Sequence, residues 1–216
     1  GSAHLPYVRH ADPETIVLAG GDLLSILEID GLPQECAGMD EINAHHRSLN
    51  ALWLNIADER LALWSVLIRR TCFDYPDGAS SNAFADRLDR RYRDRLEAHA
   101  LYQNRHFLAV LRHGAFDPLT KARSLFARRS SAQPQPISDD DLEKHRDKVL
   151  AISSALGSVG VRCLGLIEAA DGIVYSEPTT VLHWMLGGRL PPVPLTLGPV
   201  WSAAYQDRIV LGRESF

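Results

Sequence analysis

The chain lacks the residue spacings on which many simple catalytic sites depend. Cysteine occurs three times in 216 residues, and no two cysteines form a C-x-x-C pair. We therefore predict neither a zinc knuckle nor a thioredoxin-type redox pair, and three distant cysteines favour a reducing compartment over a disulfide framework. The serine elbow G-x-S-x-G is also absent, so a hydrolase site of that kind is not predicted.

Lysine is scarce, and its positions argue against nucleotide chemistry. None of the three lysines, Lys121, Lys144 and Lys148, follows a glycine, so the phosphate-binding loop G-x-x-x-x-G-K-[ST] is absent. The pairs Gly20-Gly21 and Gly187-Gly188 lack the G-x-G-x-x-G spacing of a dinucleotide site and are typical of turns. We expect no catalytic residue and no bound cofactor in this chain.

Long apolar runs are absent as well. No run approaches the roughly 20 residues that a transmembrane helix needs, and the first residues do not resemble a signal peptide. The net charge of −4 gives no global basic field, so strong non-specific binding to nucleic acid is not predicted. Both ends suggest a piece of a longer protein, since Gly1-Ser2 is typical of a cleaved tag and residues 208–216 end at a predicted strand.

The histidines do not form a convincing metal site. His45 and His46 are adjacent, so on a helix they point in different directions. His99, His106 and His113 recur every seven residues, but they span a helix end and a strand, where this period has no single geometric meaning. Zinc sites usually combine closer spacings with a thiolate or carboxylate, so we predict no metal ligand.

Hydrophobic periodicity predicts an α+β fold, with a mixed β-sheet and helices packed mainly on one face. The element order is β-β-α-β-α-β, a linker, then α-β-α-β. The opening hairpin turns at Gly20-Gly21-Asp22, which argues against a purely parallel sheet. Strands are predicted at residues 15–19, 23–29, 61–72, 102–112, 161–169 and 208–216, and helices beginning at Asp40, Asn82, Ser138 and Ser176.

A change of composition marks residues 114–137 as a flexible linker. The segment contains Pro118, Pro134 and Pro136 and lacks a hydrophobic period. It either separates two lobes, residues 1–113 and 138–216, or is an insertion within one domain.

The predicted helix after Asn82 is rich in arginine. Five arginines alternate with four acidic residues, so the helix is nearly neutral. Asp86–Arg90 and Asp89–Arg93 are i,i+4 pairs in the favourable orientation. We predict a solvated, self-paired helix, and a phosphate-binding face for nucleic acid is the alternative.

An ordered set of short motifs runs along nearly the whole chain. The central motifs are Trp64, Arg69-Arg70, Tyr75-Pro76-x-Gly78, Asn82-x-Phe84-Ala85, Leu88-Asp89, Tyr92-Arg93 and Leu101-Tyr102-x-Asn104. The outer motifs are Pro6-Tyr7-x-x-His10, Gly21-Asp22-Leu23-Leu24, Gly187-Gly188-Arg189-x-x-Pro192 and Gly212-Arg213-Glu214. Together they resemble the N-terminal domain of the conjugation-type ATPases of type IV secretion systems.

The resemblance implies a domain of a longer ATPase that is cytoplasmic and peripheral at the bacterial inner membrane. In that family a RecA-like motor carrying the Walker motifs follows this region, and it is absent here. ATP, Mg²⁺, hexameric assembly and the powering of pilus biogenesis or of DNA or protein transfer are then expected of the whole protein. The N-terminal domain is expected to dock to inner-membrane subunits of the channel and to other copies of the ATPase.

The partner-binding residues that we predict follow the third strand or lie on the arginine-rich helix. They are Arg69, Arg70, Tyr75, Pro76, Arg87 and Arg91. Under the alternative interpretation, Arg87 and Arg91 contact transferred DNA.

Overall fold

A six-stranded antiparallel sheet organises the chain. The computed structural model describes residues 6–31, 38–72, 75, 82–99, 101–114, 137–187, 191–196 and 200. The order across the sheet is β1 (Tyr7–Asp12), β2 (Thr15–Leu18), β3 (Leu23–Ile29), β5 (Tyr102–Arg112) and β4 (Leu61–Thr71). The sixth strand, β6 (Val161–Cys163), pairs with β3, and every described strand pair is antiparallel.

Four helices and a second hairpin complete the described structure. The helices are α1 (Met39–Ile56), α2 (Ala83–Glu97), α3 (Asp139–Ala155) and α4 (Glu177–Gly187). The hairpin joins β7 (Leu166–Glu168) to β8 (Val174–Ser176) as a separate two-stranded sheet. None of the described helices combines the length and the apolar character needed to cross a bilayer.

β3 is the central strand, and it is an almost uninterrupted apolar run because both of its faces and both of its edges are covered. β5 pairs along one edge for the full length of β3, from Leu23 opposite Arg112 to Ile29 opposite His106. β2 and β6 share the other edge: β2 pairs at Leu23 and Leu24, and β6 pairs from Leu27 onward.

The two faces of the sheet carry two separate cores, because side chains alternate along each strand. On one face, α4 packs against alternate residues of β3 and β5; the buried members include Ile26, Phe107, Val181, Leu182 and Trp184. On the other face, α1 and α3 pack against the intervening residues; the buried members include Leu27, Leu52, Leu108, Val149 and Ile152.

The α+β class is confirmed. α1 and α3 lie on one face of the sheet and α4 lies on the other. Residues on both sides of the predicted linker contribute to the same sheet and to the same cores. The linker itself, residues 114–137, lies outside the described residues except at its two ends, as does the strand predicted at residues 208–216.

The single strand predicted at residues 161–169 is wrong. The segment divides into β6, which extends the main sheet, and β7, which pairs with β8. The break falls at Leu164, whose side chain is buried, and at Gly165, whose amide donates to Glu177 Oε2 at 3.1 Å. Hydrophobic pattern alone does not reveal this change of partner, because two of the three residues in each half are apolar and no turn motif separates the halves.

Three helices begin where the sequence predicted, but only two of them have a capping hydrogen bond to the predicted side chain. Asn82 precedes α2 and accepts the Phe84 amide at 2.9 Å, and Ser176 precedes α4 and accepts the Thr179 amide at 3.2 Å. Ser138 occupies the N-cap position of α3, but its side chain makes no capping hydrogen bond. Three aspartates in the first turn of α3 instead complement the positive end of the helix dipole.

Candidate interaction surface

At one end the sheet narrows to a two-stranded ribbon, which with α2 we call the arm (residues 68–105). β3 pairs with β5 only as far as His106, whereas β4 continues alongside β5 to the pair Thr71–Tyr102. The Cys72 amide then donates to the Leu101 carbonyl at 2.8 Å, which extends the ribbon towards α2. The ribbon therefore extends beyond the part of the sheet that α1, α3 and α4 cover.

β4 forms the outer border of the sheet. Among the described residues it pairs only with β5, so its other edge has no strand partner. Its first eight residues, Leu61–Ile68, include no charged side chain. Within this segment Trp64 and Leu67 are 60% and 63% exposed.

Arg69 and Arg70 lie on the ribbon and are held by cross-strand contacts with β5. The Arg69 guanidinium lies over the Tyr102 ring, 4.2 Å from its centroid. Arg70 donates from Nε and Nη2 to Gln103 Oε1 at 3.0 and 2.7 Å. Both arginines are exposed, so these contacts orient their charges at the surface without burying them.

Tyr75 connects the end of β4 to α2. Its hydroxyl donates to Asp89 Oδ1 at 2.6 Å, and this hydrogen bond to a carboxylate raises the pKa of Tyr75. Its ring packs against Tyr92 at a centroid distance of 6.1 Å, and the Arg93 guanidinium lies 4.9 Å from its centroid. Pro76, the other residue predicted here, lies outside the described residues.

All of α2 lies within the described residues, and none of its side chains is buried. The two predicted ion pairs are confirmed: Arg90 lies 3.2 Å from Asp86, and Arg93 lies 3.8 Å from Asp89. The second pair lies on the side of α2 that contacts Tyr75, which we call the inner side. The charge of Asp89 is therefore neutralised there by Arg93.

The outer side of α2 carries two parallel rows of side chains. The apolar row is Phe84, Leu88 and Tyr92, which are 69%, 59% and 55% exposed. The arginine row is Arg87, Arg91 and Arg95, each three residues beyond a member of the apolar row and therefore beside it. Sequence reasoning missed Arg95, which the same four-residue step could have identified.

The base of the arm is fixed by a chain of ion pairs that the sequence did not predict. Arg105 of β5 donates from Nε to Glu28 Oε1 of β3 at 2.7 Å. Arg162 of β6 donates to Glu28 Oε2 at 2.7 Å and to Glu177 of α4 at 2.7 Å. The Arg105 guanidinium also lies over the rings of Phe107 and Trp184, so the network joins the ribbon to the core beneath α4.

The histidines of the seven-residue repeat have separate partners. His99 Nδ1 lies 2.8 Å from the Arg95 carbonyl, His106 Nε2 lies 2.7 Å from Ser65 Oγ, and His113 Nδ1 lies 3.3 Å from Asp22 Oδ2. Within the part of the chain that the structure describes, no three histidine, cysteine, aspartate or glutamate side chains are grouped as a metal site would require.

One of the two described thiols, Cys163, is unsuited to act as a nucleophile. Cys72 and Cys163 are both free. Burial raises the pKa of Cys163 to about 12, and the nearby Glu14 carboxylate adds to this effect. Cys163 is therefore a protonated thiol at neutral pH, whereas nucleophilic cysteines need the thiolate.

The arm falls entirely within a region that matches a known family. Residues 14–118 match the family model described as "Type IV secretion system ATPase VirB4/TrbE, N-terminal domain". The chain belongs to this family of type IV secretion ATPase N-terminal domains. The matched range begins before β2 and ends after β5, so the central strands, α1 and the whole arm are part of the family domain.

Relatives extend the similarity over nearly all of the domain. The type IV secretion system protein virB4 of Bartonella henselae is 34% identical over 214 residues, which cover 98% of this chain and 27% of that protein. The virB4 protein of Agrobacterium fabrum is 27% identical over 216 residues, covering 99% of this chain and 27% of that protein. The type IV secretion system protein PtlC of Bordetella pertussis is 28% identical over 219 residues, covering 99% of this chain and 26% of that protein. The chain thus spans about a quarter of the length of these relatives.

Proposed function

We propose that this domain is a non-catalytic docking and assembly module of a type IV secretion ATPase. Its partners are inner-membrane subunits of the secretion channel and other copies of the same ATPase. In the whole protein, ATP and Mg²⁺ bind to a separate motor domain, and a hexamer energises pilus biogenesis or the transfer of DNA or protein across the bacterial envelope. The domain then works in the cytoplasm, peripheral at the inner membrane.

The exposure of the arm carries this proposal. The described side chains of the arm contribute little to the cores of the sheet, yet they include aromatic and arginine residues, types that are enriched at protein interfaces. Arg69, Arg70 and Tyr75 form the first part of the docking surface, to which the sequence alone adds Pro76, and Arg87 and Arg91 form the second. Tyr75 positions α2 relative to the ribbon, because its ring and hydroxyl both contact the helix.

The double charge reversal Arg69→Glu/Arg70→Glu tests the surface. We expect it to weaken capture of a purified inner-membrane channel subunit by at least about tenfold, since interfacial charge pairs are worth 1 kcal/mol or more. The fold should persist, because both side chains are exposed. Circular dichroism and urea unfolding check that condition.

The matched control reverses two exposed arginines outside the arm. Among the described residues, the guanidinium groups of Arg9 on β1 and Arg47 on α1 hydrogen-bond only to nearby carbonyls. Arg9→Glu/Arg47→Glu changes the net charge by the same amount as the ribbon variant. We expect this control to bind the membrane subunit normally. Equal binding by the ribbon variant and the control would reject Arg69 and Arg70 as docking residues.

A nucleic-acid accessory role is the second candidate, and the arginine row is the observation that favours it. Its signature is DNA binding that falls steeply with salt, with a slope that is reduced by loss of Arg87 and Arg91. The same binding assay with a DNA duplex at low salt decides this case, and no binding there would dispose of it.

A further inference from the structure

We infer that the outer side of α2 binds the surface of an anionic phospholipid bilayer. This inference goes beyond protein docking and rests on the proposed function in one respect, that the domain works at a membrane. It assigns the two rows of α2 to lipid, including Arg87 and Arg91, which form the second part of the proposed docking surface. It leaves the ribbon residues Arg69 and Arg70 to protein partners.

The first support is the geometry of the two rows. The apolar row and the arginine row lie side by side along three turns of one helix, from Phe84 to Arg95. A helix that lies in a membrane interface has this division, with apolar side chains at the acyl boundary and arginines at the headgroups. Each member of the apolar row is more than half exposed. The Tyr75 ring packs against Tyr92 at one end of the row, and Phe84 and Leu88 stay 69% and 59% exposed.

The second support is the distribution of charge around the helix. Asp86 and Asp89 form ion pairs with Arg90 and Arg93, which do not belong to the arginine row. Within the described part of the chain, the members of the arginine row have no ion-pair partner, and Arg87 contacts only the Ala83 carbonyl, at 3.4 Å. Their charge is therefore available to anionic headgroups, which complement it.

The acidic residues near the end of the helix predict an order among the arginines. Asp94 lies three residues beyond Arg91, and Glu97 follows Arg95 in the last turn. These carboxylates oppose the approach of an anionic surface. We therefore expect Arg87 to contribute most to lipid binding and Arg95 to contribute least.

The apolar row favours a bilayer over DNA. Phosphate recognition alone needs cations and polar groups, whereas three exposed apolar side chains at a four-residue step gain free energy only by leaving water. A bilayer surface satisfies both rows at once. DNA satisfies the arginine row and leaves Phe84 and Leu88 exposed.

Vesicle co-flotation of the 216-residue chain tests the inference. One set of vesicles contains equal parts of phosphatidylglycerol and phosphatidylcholine, and the other contains phosphatidylcholine alone. We expect binding to the anionic vesicles that weakens with added salt, and far weaker binding to the neutral ones. Phe84→Trp places a fluorophore in the apolar row, and its emission should shift to the blue only with the anionic vesicles.

Variants separate the two rows. Arg87→Glu/Arg91→Glu/Arg95→Glu should lower partitioning on the order of 100-fold, because each arginine near an anionic surface contributes about fivefold. Phe84→Ser/Leu88→Ser should also lower it while leaving the salt dependence in place. Arg47→Glu is the control, since Arg47 is likewise an exposed helical arginine that contacts the carbonyl four residues earlier.

Three results would overturn the inference. They are absence of binding to anionic vesicles at low salt, equal binding by the triple-arginine variant, and binding of a DNA duplex through the same arginines without vesicle binding. Because the vesicles contain no protein, the result is independent of subunit docking. Loss of docking in the ribbon variant with normal vesicle binding would uphold both roles for the arm.

Discussion

The body of the sheet, which lies outside residues 68–105, and the arm both contain rows of apolar side chains, but those of the body are buried and those of the arm are exposed. In the body, the apolar residues of β3 and β5 are buried on both faces by helices. In the arm, α2 has a comparable apolar row that remains exposed. Because the exposed apolar residues of α2 do not stabilise the domain, they are available for binding. This contrast is the reason that the arm is the candidate interaction surface.

The largest expected effect is on a core aromatic. Phe107 is 1% exposed and contacts Trp184 edge-to-face at a centroid distance of 6.2 Å. Phe107→Ala should lower the free energy of unfolding by about 3–5 kcal/mol, because it removes buried area and leaves a cavity. Leu88→Ala in the arm should change it by no more than about 0.5 kcal/mol. Urea unfolding measures the loss of unfolding free energy in each variant. Similar losses would contradict the distinction between a buried body and an exposed arm.

Acid should weaken the body through a buried histidine. His145 of α3 is 0% exposed, and its Nε2 lies 2.9 Å from Ser25 Oγ. Its Nδ1 has no hydrogen-bond partner among the described residues. Burial lowers the pKa of His145 from 6.5 to about 4, and the nearby Arg112 acts in the same direction while Asp12 opposes it.

The sign of the pH effect follows from this lowered pKa. Between pH 6.5 and 4 the unfolded chain binds a proton at this histidine that the folded chain does not. Stability is therefore full above pH 6.5, falls as the pH falls to about 4 and then levels, with a total loss of about 3 kcal/mol. His145→Gln keeps a partner for Ser25 and should remove this component. Unfolding curves that fall equally with pH in both proteins would contradict it.

A smaller effect is expected at the junction of body and arm. Glu28 accepts from Arg105 and Arg162, and its side chain is 14% exposed. Glu28→Gln should lower the free energy of unfolding by about 1.5–3 kcal/mol, the range for hydrogen bonds to charged groups. The exposed pair Lys144–Asp140 is the control, because Asp140→Asn removes only a surface ion pair and one charge at the helix end and should cost no more than about 1 kcal/mol. Equal effects would mean that the junction is an ordinary surface pair.

The smallest expected effect lies within the arm. Tyr75→Phe removes the hydrogen bond to Asp89 but keeps the ring contact with Tyr92. We expect faster amide exchange in α2 with an unchanged urea midpoint, since the arm contributes little to global stability. Tyr75→Ala should accelerate exchange further. A shift of the global midpoint would show that α2 is coupled to the cores more tightly than its exposure indicates.

The elements of the arm were predicted closely because their signals are local. β5 was predicted at its observed bounds, and α2 begins after its asparagine cap as the sequence indicated. The i,i+4 ion pairs depend only on helical spacing, so they too were predicted correctly. β1 and β8 were missed because they are short and depend on distant contacts, such as His10 Nε2 with Ser176 Oγ at 2.9 Å.

The charged side of α2 was predicted to be solvated, but the exposure of its apolar row could not have been predicted. Apolar residues at a four-residue step ordinarily indicate a buried stripe, and the pattern contains no information on whether a partner element exists. The pairing of β4 with β5 places Arg69 opposite Asn104, and this register could not be predicted from the sequence either. The candidate surface was therefore predicted as a set of residues, whereas its division into a ribbon and a two-row helix required the structure.

Among the described residues the outer edge of β4 has no strand partner, so we expect it to be the site where chains associate in concentrated solution. A free strand edge offers its amide and carbonyl groups to any other extended strand, and Leu61–Ile68 has no charge to keep a second copy away. Edge-to-edge pairing is thus the expected first step of aggregation, with a rate that rises with protein concentration. A lysine in place of the exposed Leu67 would act as a gatekeeper, keeping molecules dispersed while leaving both cores intact.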